Sequence, residues 1–357
     1  MQRDDPGCGA HGRRQELMKT PKTIEIIGGG VAGLSLGLAL RQHGVPVTLF
    51  EAGDYPRHRV CGEFISGLDE TTERQLGLRK FLTDAKPHRA VTYHLRDRPL
   101  RPFALPATAL GISRHTFDAR LADAFVAAGG DLRTGTRMPE EDRPPGRVMA
   151  VGRNRSGPFW IGLKIHIHGL ALENDFEVHL GDRAYLGLSR VENGAVNLCG
   201  IFGRRPISAR GASLIPAYLE ACGLNLLAER LRSAATDPAT FCVTAASLGD
   251  RHVAEPDRVR IGDACATIPP FTGNGLAMAF QGAALAVEPL RAYAWHEAKW
   301  DESARVIAVM QRRRFRRRLL LASVLHPFFL VGWRQRLLAE LVGSGLIPFR
   351  TLYSALH

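Results

Sequence analysis

Residues 24–51 constrain this chain more tightly than any other stretch. An apolar strand (Ile24, Ile26, Ile27) runs into Gly28-x-Gly30-x-x-Gly33, and an apolar helix carrying Leu34, Leu36, Leu38 and Leu40 closes at Gly44. A second strand over 45–50 ends on Glu51, eighteen residues after Gly33. A lone glycine triplet is a weak signal. Strand, glycines, helix, strand and acid in register make a dinucleotide-binding fingerprint. Gly28 permits the tight turn, Gly30 lets a pyrophosphate approach the backbone, and Gly33 lets helix and strand pack closely. The helix N-terminus supplies N–H groups and positive dipole to the phosphates. Glu51 can accept hydrogen bonds from a ribose 2′-OH, which favours FAD or NAD over NADP.

The rest of the chain alternates two periodicities. Helical patterns are expected near 67–75, 78–84 and 116–129, with strands near 89–94, 101–106, 131–136 and 147–151. Residues 137–146 read as a turn rich in proline and charge. From 160 to 202 the period becomes two, in four runs separated by Asn, Gly and Asp turns. That pattern predicts an antiparallel sheet with one wet face. Lys164, His166 and His168 share a face of the first run and are expected on the wet side, the alternative being a metal or acid–base cluster that orients a phenol or enolate if that face roofs a flavin; His179 is expected at the surface. Helices near 212–221 and 225–233 precede a strand over 258–264 and a long apolar helix from Gly275 to Tyr293. The fold class expected is α/β: a Rossmann-like domain with an inserted antiparallel β-sheet domain and a C-terminal helical tail. The dinucleotide-binding domain takes 23–88, 107–151 and 258–300, and the substrate domain takes 89–106 and 152–257. The tail begins at 301.

A second nucleotide-binding element lies at 260–279. A strand ends on Gly262-Asp263, a Pro269-Pro270 turn follows, and Gly273-Asn274-Gly275 opens a helix. Asp263 is placed for a ribityl chain, and the helix N-terminus for a pyrophosphate or a flavin's pyrimidine edge. Both suit FAD rather than NAD. Together with the segment SRHTFDARLADAF at 113–125, these stretches resemble the FAD-dependent oxidoreductase superfamily. That superfamily holds the para-hydroxybenzoate hydroxylase-type monooxygenases, the flavin halogenases and the geranylgeranyl reductases. The resemblance spans about 20–300 and implies that Arg114 contacts the FAD pyrophosphate. The loop YPRHRVCGEFIS at 55–66 looks like the P-x-x-x-x-C-G-E segment of the geranylgeranyl reductase-like branch. Along that loop, Cys61 is a candidate proton donor to the substrate or a small buried residue. Arg57 and Arg59 are candidates for phosphate or substrate contact, or solvated arginines. The full set of candidate FAD-binding residues is Gly28, Gly30, Gly33, Glu51, Arg59, Arg114, Gly262, Asp263, Pro270, Gly273, Asn274 and Gly275.

The chain also departs from the family. Where the hydroxylases carry an Asp-Gly pair that meets the reduced nicotinamide, it reads Ala150-Val151-Gly152-Arg153. NAD(P)H and a ferredoxin therefore both stay open as electron donor. The tryptophan signature of the halogenases is absent near 185–188, and so is the aromatic segment of the prenyl reductases. No Ser-His-Asp constellation or metal-ligand cluster is legible. The activity expected is hydroxylation of a lipophilic or polyketide-like substrate through a flavin hydroperoxide. The alternatives are reduction of carbon–carbon double bonds in a lipid, or a non-catalytic FAD-binding partner protein.

Charge is concentrated at the end of the chain. Net charge is +12, yet residues 305–357 hold ten arginines and a single acid, Glu340. Nucleic acid is not expected, because the arginines form one run without a groove motif. The run QRRRFRRRLLL at 311–321 leads into an apolar stretch broken by His326 and Pro327, too short to span a bilayer. Residues 311–333 are instead expected to lie on an anionic membrane surface. Six scattered cysteines without a CxxC pair suit a reducing compartment. Residues 1–22 lack an apolar core and read as a disordered leader, with Met18 a possible start. Taken together these features predict a cytoplasmic protein, peripheral on the inner membrane face.

Overall fold

The computed structural model describes residues 20–139, 144–153, 157, 159–246 and 258–357. Residues 1–19 of the expected leader and 140–143 of the expected turn lie outside them. The chain opens with β1 (Ile24–Ile27), α1 (Val31–Gln42) and β2 (Val47–Phe50), then β3 (Phe64–Ile65) and α2 (Glu70–Gln75). Next come β4 (Lys86–Leu95), β5 (Arg98–Pro99), β6 (Phe103–Gly111), α3 (Arg114–Ala127), β7 (Asp131–Arg133) and β8 (Arg147–Met149). The middle holds β9 (Trp160–His168), β10 (Phe176–Gly181), β11 (Ala184–Arg190) and β12 (Ala195–Gly203). After them run α4 (Leu214–Ala221), α5 (Asn225–Arg232), β13 (Ala235–Ala246) and β14 (Val259–Arg260). The chain closes with α6 (Gly275–Ala294), α7 (Trp300–Leu325), α8 (Pro327–Leu330), α9 (Gly332–Gly343) and α10 (Phe349–Leu356).

Among the described residues the strands form two sheets. The first is parallel, in the order β14-β8-β1-β2-β7. One face is apolar, with Ile24, Ile26, Val47 and Leu49 packed in the same core as α1; on the other, Ile27, Phe50 and Met149 form a second apolar cluster and Glu25 pairs with Arg147. Helix α1 is buried from Val31 to Leu40, which its small and aliphatic residues allow. It packs on the sheet and against α3 and α6. Ser113 caps α3 by accepting the Thr116 N–H.

The second sheet runs β13-β9-β12-β11-β10-β4-β6-β3, with β5 on the edge of β4. It is mixed, because β10 pairs with β4 in parallel. Nor does it have the wet face expected from period two. Leu163, Ile165 and Ile167 pack under α4 and α5, while Lys164 and His166 on the other face are buried beneath the 57–63 loop. His168 at the strand end is exposed. His179 is buried as well: its ring stacks on His94 at 4.2 Å, and its Nε2 lies 3.0 Å from Glu177. Alternation reports two environments, and here the second is a polar interior rather than solvent.

The tail folds back over both units. Gln311, Phe315, Arg318 and Ala322 of α7 face inward onto α6. Phe329 of α8 is buried among residues of the second sheet. No helix among the described residues is long and apolar enough to cross a membrane.

Candidate active site

Among the described residues, the two sheets, the 57–62 loop and the tail border a cavity of about 1290 Å³. Drug-sized ligands occupy roughly 300–1,000 Å³, so the space suits an extended dinucleotide with a second molecule. It begins at the C-terminal ends of β1 and β8, where ligands bind in open α/β sheets. Gly28 sits at φ +109°, and a Cβ there would collide with the Ala150 carbonyl of the neighbouring strand. A Cβ on Gly33 would strike the Gly28 carbonyl. Gly30 is open, its nearest neighbour being the Arg114 guanidinium at 3.7 Å from a built Cβ. Backbone and cation thus meet at the position the fingerprint reserves for phosphate.

Glu51 stands at the end of β2, buried, and accepts the Gly29 N–H at 2.8 Å and the Gly53 N–H at 3.1 Å. Arg57 and Arg59 reach it at 2.5 and 3.2 Å. Burial works against its charge, but Arg59 and Arg57 outweigh burial and hold its pKa below the usual carboxylate range. Arg57 and Arg59 are therefore not solvated loop arginines. Their Nε atoms are buried and lack a hydrogen-bond partner among the described residues, although both side chains line the cavity. Arg114, buried at the start of α3, forms a bidentate pair with Asp118 at 2.6 Å. Burial opposes its charge, and Asp118 more than restores it, so the cation is permanent. The geometry fits the adenosine and pyrophosphate of FAD: a carboxylate at the end of β2, open glycine backbone at Gly30, and arginine side chains along the cavity wall.

The second expected element lines the same cavity. Gly262, Asp263, Pro270, Gly273 and Gly275 all border it, and Asn274, buried beside them, donates to the Leu356 carbonyl at 2.7 Å. Asp263 faces Arg153 across 3.7 Å. Arg153 thus places a cation beside Asp263 at this edge of the cavity.

The 61–63 loop carries a group that sequence reading passes over. Glu63 is fully buried with φ +51°, a sparsely populated conformation for a residue with a Cβ. Its carboxylate accepts the Arg114 N–H at 3.0 Å, meets His166 Nε2 at 2.6 Å, and lies 3.5 Å from Lys164 Nζ. Lys164 in turn reaches His58 Nδ1 at 3.0 Å, and His58 lines the cavity. Ser189 donates to the Gly62 carbonyl and Asn197 to the Cys61 carbonyl, at 2.9 and 3.0 Å. Four elements thus pin a loop that would otherwise be free, which is how the φ of Glu63 is sustained. Burial, then Lys164 and His115, hold the His58 pKa down to about 4, so its ring is neutral at pH 7. Burial raises the Cys61 pKa, and nearby Arg114 offsets this only in part, so Cys61 is a thiol rather than a thiolate.

His58, Glu63 and His166 converge as metal ligands would, and so do His94, Glu177 and His179 on the opposite face of the second sheet. Both groups escaped the sequence, because each joins residues far apart in the chain. Each already has a protein cation on its carboxylate: Lys164 beside Glu63, and Arg230 at 3.1 Å from Glu177.

Beyond the loop the cavity becomes apolar and aromatic. Tyr93, Leu105, Phe176, Val178 and Tyr185 line it from the sheet, and Phe329, Phe349 and Tyr353 from the tail. Phe271 stacks on Phe329 at 4.0 Å, and Tyr185 Oη lies 3.2 Å from His326 Nε2. The tail's aromatic residues thus wall a compartment made mainly by the distant sheet.

Residues 26–87 match the NAD(P)-binding Rossmann-like domain family. No curated protein sequence matches the chain. Solved structures of similar fold include p-nitrophenol 4-monooxygenase PnpA from Pseudomonas putida DLL-E4, with 14% identity, TM-score 0.71, and 93% of this chain and 96% of that one covered. A geranylgeranyl bacteriochlorophyll reductase-like protein from Thermoplasma acidophilum gives 16% identity and TM-score 0.70, covering 94% and 96%. The flavin-dependent brominase Bmp2 gives 16% and 0.67, covering 94% of both chains. The chain therefore has the fold of the FAD-dependent oxidoreductases, with a Rossmann-like parallel sheet, a second mixed sheet and C-terminal helices.

Proposed function

We propose that this chain is an FAD-dependent monooxygenase that hydroxylates a lipophilic, phenolic or polyketide-like ring. One observation carries the reading: a continuous cavity joins the dinucleotide fingerprint to an aromatic compartment. The flavin enzymes that share the fold support an oxidoreductase. Glu51 would hold the ribose, Gly28–Gly30 with Arg114 and Arg59 the pyrophosphate, and Asp263 with the 273–275 turn the flavin end. FAD, once bound, supplies the electron and oxygen chemistry. In the balanced reaction one atom of O₂ enters the substrate and the other leaves as water, with two electrons from NAD(P)H or a ferredoxin. The chain's own residues do the rest. The aromatic walls bind the ring and exclude water, which strengthens every electrostatic contact inside. His58, neutral at pH 7 with Nδ1 facing Lys164, is placed to hydrogen-bond the oxygen of a phenol at the cavity wall and so orient the ring.

The second reading is reduction of a carbon–carbon double bond, favoured by the protonated Cys61 thiol on the cavity wall. Oxygen consumption separates the two. Purified protein should be yellow with about one FAD per chain, and a hydroxylase couples O₂ uptake to product. Turnover that persists or rises without oxygen would establish the reductase. Bound flavin that no donor reduces would leave only a binding protein.

A further inference from the structure

We propose that the exposed face of α7, continued by Val331 and Trp333, docks the protein on an anionic membrane surface. The structure alters the basis for this. Much of the apolar run after residue 321 turns inward: Ala322, His326 and Phe329 are buried, and Phe328 and Leu330 pack beside Phe329. What remains outside is different and more ordered. Leu320, Val324 and Trp333 are 49%, 67% and 60% exposed, and Arg312, Arg313, Arg316 and Arg317 are exposed beside them. At 100° per residue, positions 313, 316, 317, 320 and 324 fall on one stripe of the helix. Basic heads and apolar side chains therefore share one face, as in helices that lie in the interfacial plane.

The charge pattern asks for an outside partner. On the flank and inner side of α7, Arg314 pairs with Asp69 and Arg318 donates to Gln281. Among the described residues, Arg312, Arg313, Arg316 and Arg317 form no such pair, and Arg334 lies over the Trp333 and Phe328 rings. Arg312/Arg316 and Arg313/Arg317 are like charges four residues apart, which destabilise a helix. An anionic surface relieves that repulsion, while Leu320, Val324 and Trp333 leave water for the headgroup boundary and the arginine stems follow. The interleaved aliphatic and indole side chains favour lipid over nucleic acid, whose backbone offers them nothing. The inference does not depend on the reaction. Its consequence for entry is local: α8 and α10, which pack against α7, supply Phe329, Phe349 and Tyr353 to the cavity wall.

The test uses the FAD-loaded full chain and sedimentation with vesicles of phosphatidylcholine, with and without phosphatidylglycerol. Binding should require the anionic lipid and fall with salt. Replacing Arg313, Arg316 and Arg317 by Gln should lower partitioning about fivefold per arginine removed. The Leu320→Ser, Val324→Ser, Trp333→Ser triple variant should lower it at least tenfold at unchanged charge. Brominated phospholipid should quench fluorescence of the unaltered protein and not of Trp333→Phe, a readout that needs no folded multiple variant. Absence of quenching, or equal binding to both vesicle types, overturns the proposal. So does an apolar variant that binds vesicles and duplex DNA as the parent does, which would mark a general polyanion site.

Discussion

At the scale of single residues, Glu51 is where sequence and structure agree most directly. Its distance from Gly33 is set by one helix and one strand, so its position follows from local geometry alone. Glu51→Gln keeps an acceptor for the Gly29 N–H and removes the charge that Arg57 and Arg59 share. FAD affinity should fall by about 1.5–3 kcal/mol, the worth of a charge-assisted hydrogen bond; titration with FAD measures it, and an unchanged Kd would put the adenosine elsewhere. Glu63 is the opposite case. It is 103 residues from His166, and nothing in the spacing of either residue announces the other. Lys164 and His166 are visible as one face of a strand, but the loop that buries that face cannot be read from period two. Glu63→Gln should leave FAD affinity nearly unchanged. It should lower kcat by about 10²-fold, the usual scale for a disrupted acid–base group, and move the pH profile of kcat. A rise in KM alone, with the profile in place, would reduce Glu63 to a purely structural role.

Elements were legible in proportion to how local their causes are. Helix α1 follows from an apolar period and the glycines before it, and α6 from a long run of small and aliphatic residues behind Asn274. The strands of the second sheet are legible as strands, but their neighbours are not. The β10–β4 pairing joins residues 85 positions apart, and only the fold brings them into register. Helix α10 shows the same limit from the other side. Its sequence reads as part of a basic tail, yet Phe349 stacks on Phe103 at 4.7 Å and lines the cavity. Phe349→Ala should therefore act on substrate rather than on flavin. Removing that ring should raise KM about 10–100-fold, on the order of 1–3 kcal/mol for a lost apolar contact, with FAD content and kcat little changed. Steady-state kinetics with the flavin spectrum as control will check it. A loss of FAD instead would place α10 on the cofactor.

At the scale of the whole molecule, the buried imidazoles set how the fold responds to acid. Burial comes first in holding His88, His179 and His326 down to about 4, against an ordinary value of 6.5. Arg153 adds to it at His326 and His94 at His179, while Glu177 opposes it at His179. These groups lie under β6, between β4 and β10, and at the α7–α8 corner, so the effect is distributed over the second sheet and the tail. The sign follows from linkage. The folded pKa is depressed, so as pH falls below 6.5 the unfolded chain binds protons that the native chain refuses. Stability is full above pH 6.5, declines through the window from 6.5 to 4, and levels for these groups below it. Each fully buried ring contributes a slope of at most about 1.4 kcal/mol per pH unit. The carboxylates add nothing in the upper part of that window. Glu177, whose burial is outweighed by His179 and Arg230, is held down to about 2, so its own loss comes at lower pH. Thermal unfolding should thus show Tm falling by several degrees between pH 7 and 5, with the flavin-free protein following the same trend. His88→Gln should flatten the slope while lowering Tm at pH 7, since the Arg190 N–H that His88 accepts at 3.0 Å is then poorly met. A Tm that is level from pH 7 to 5 would mean that these rings take up protons in place, and that the interior around them is wetter than its packing implies.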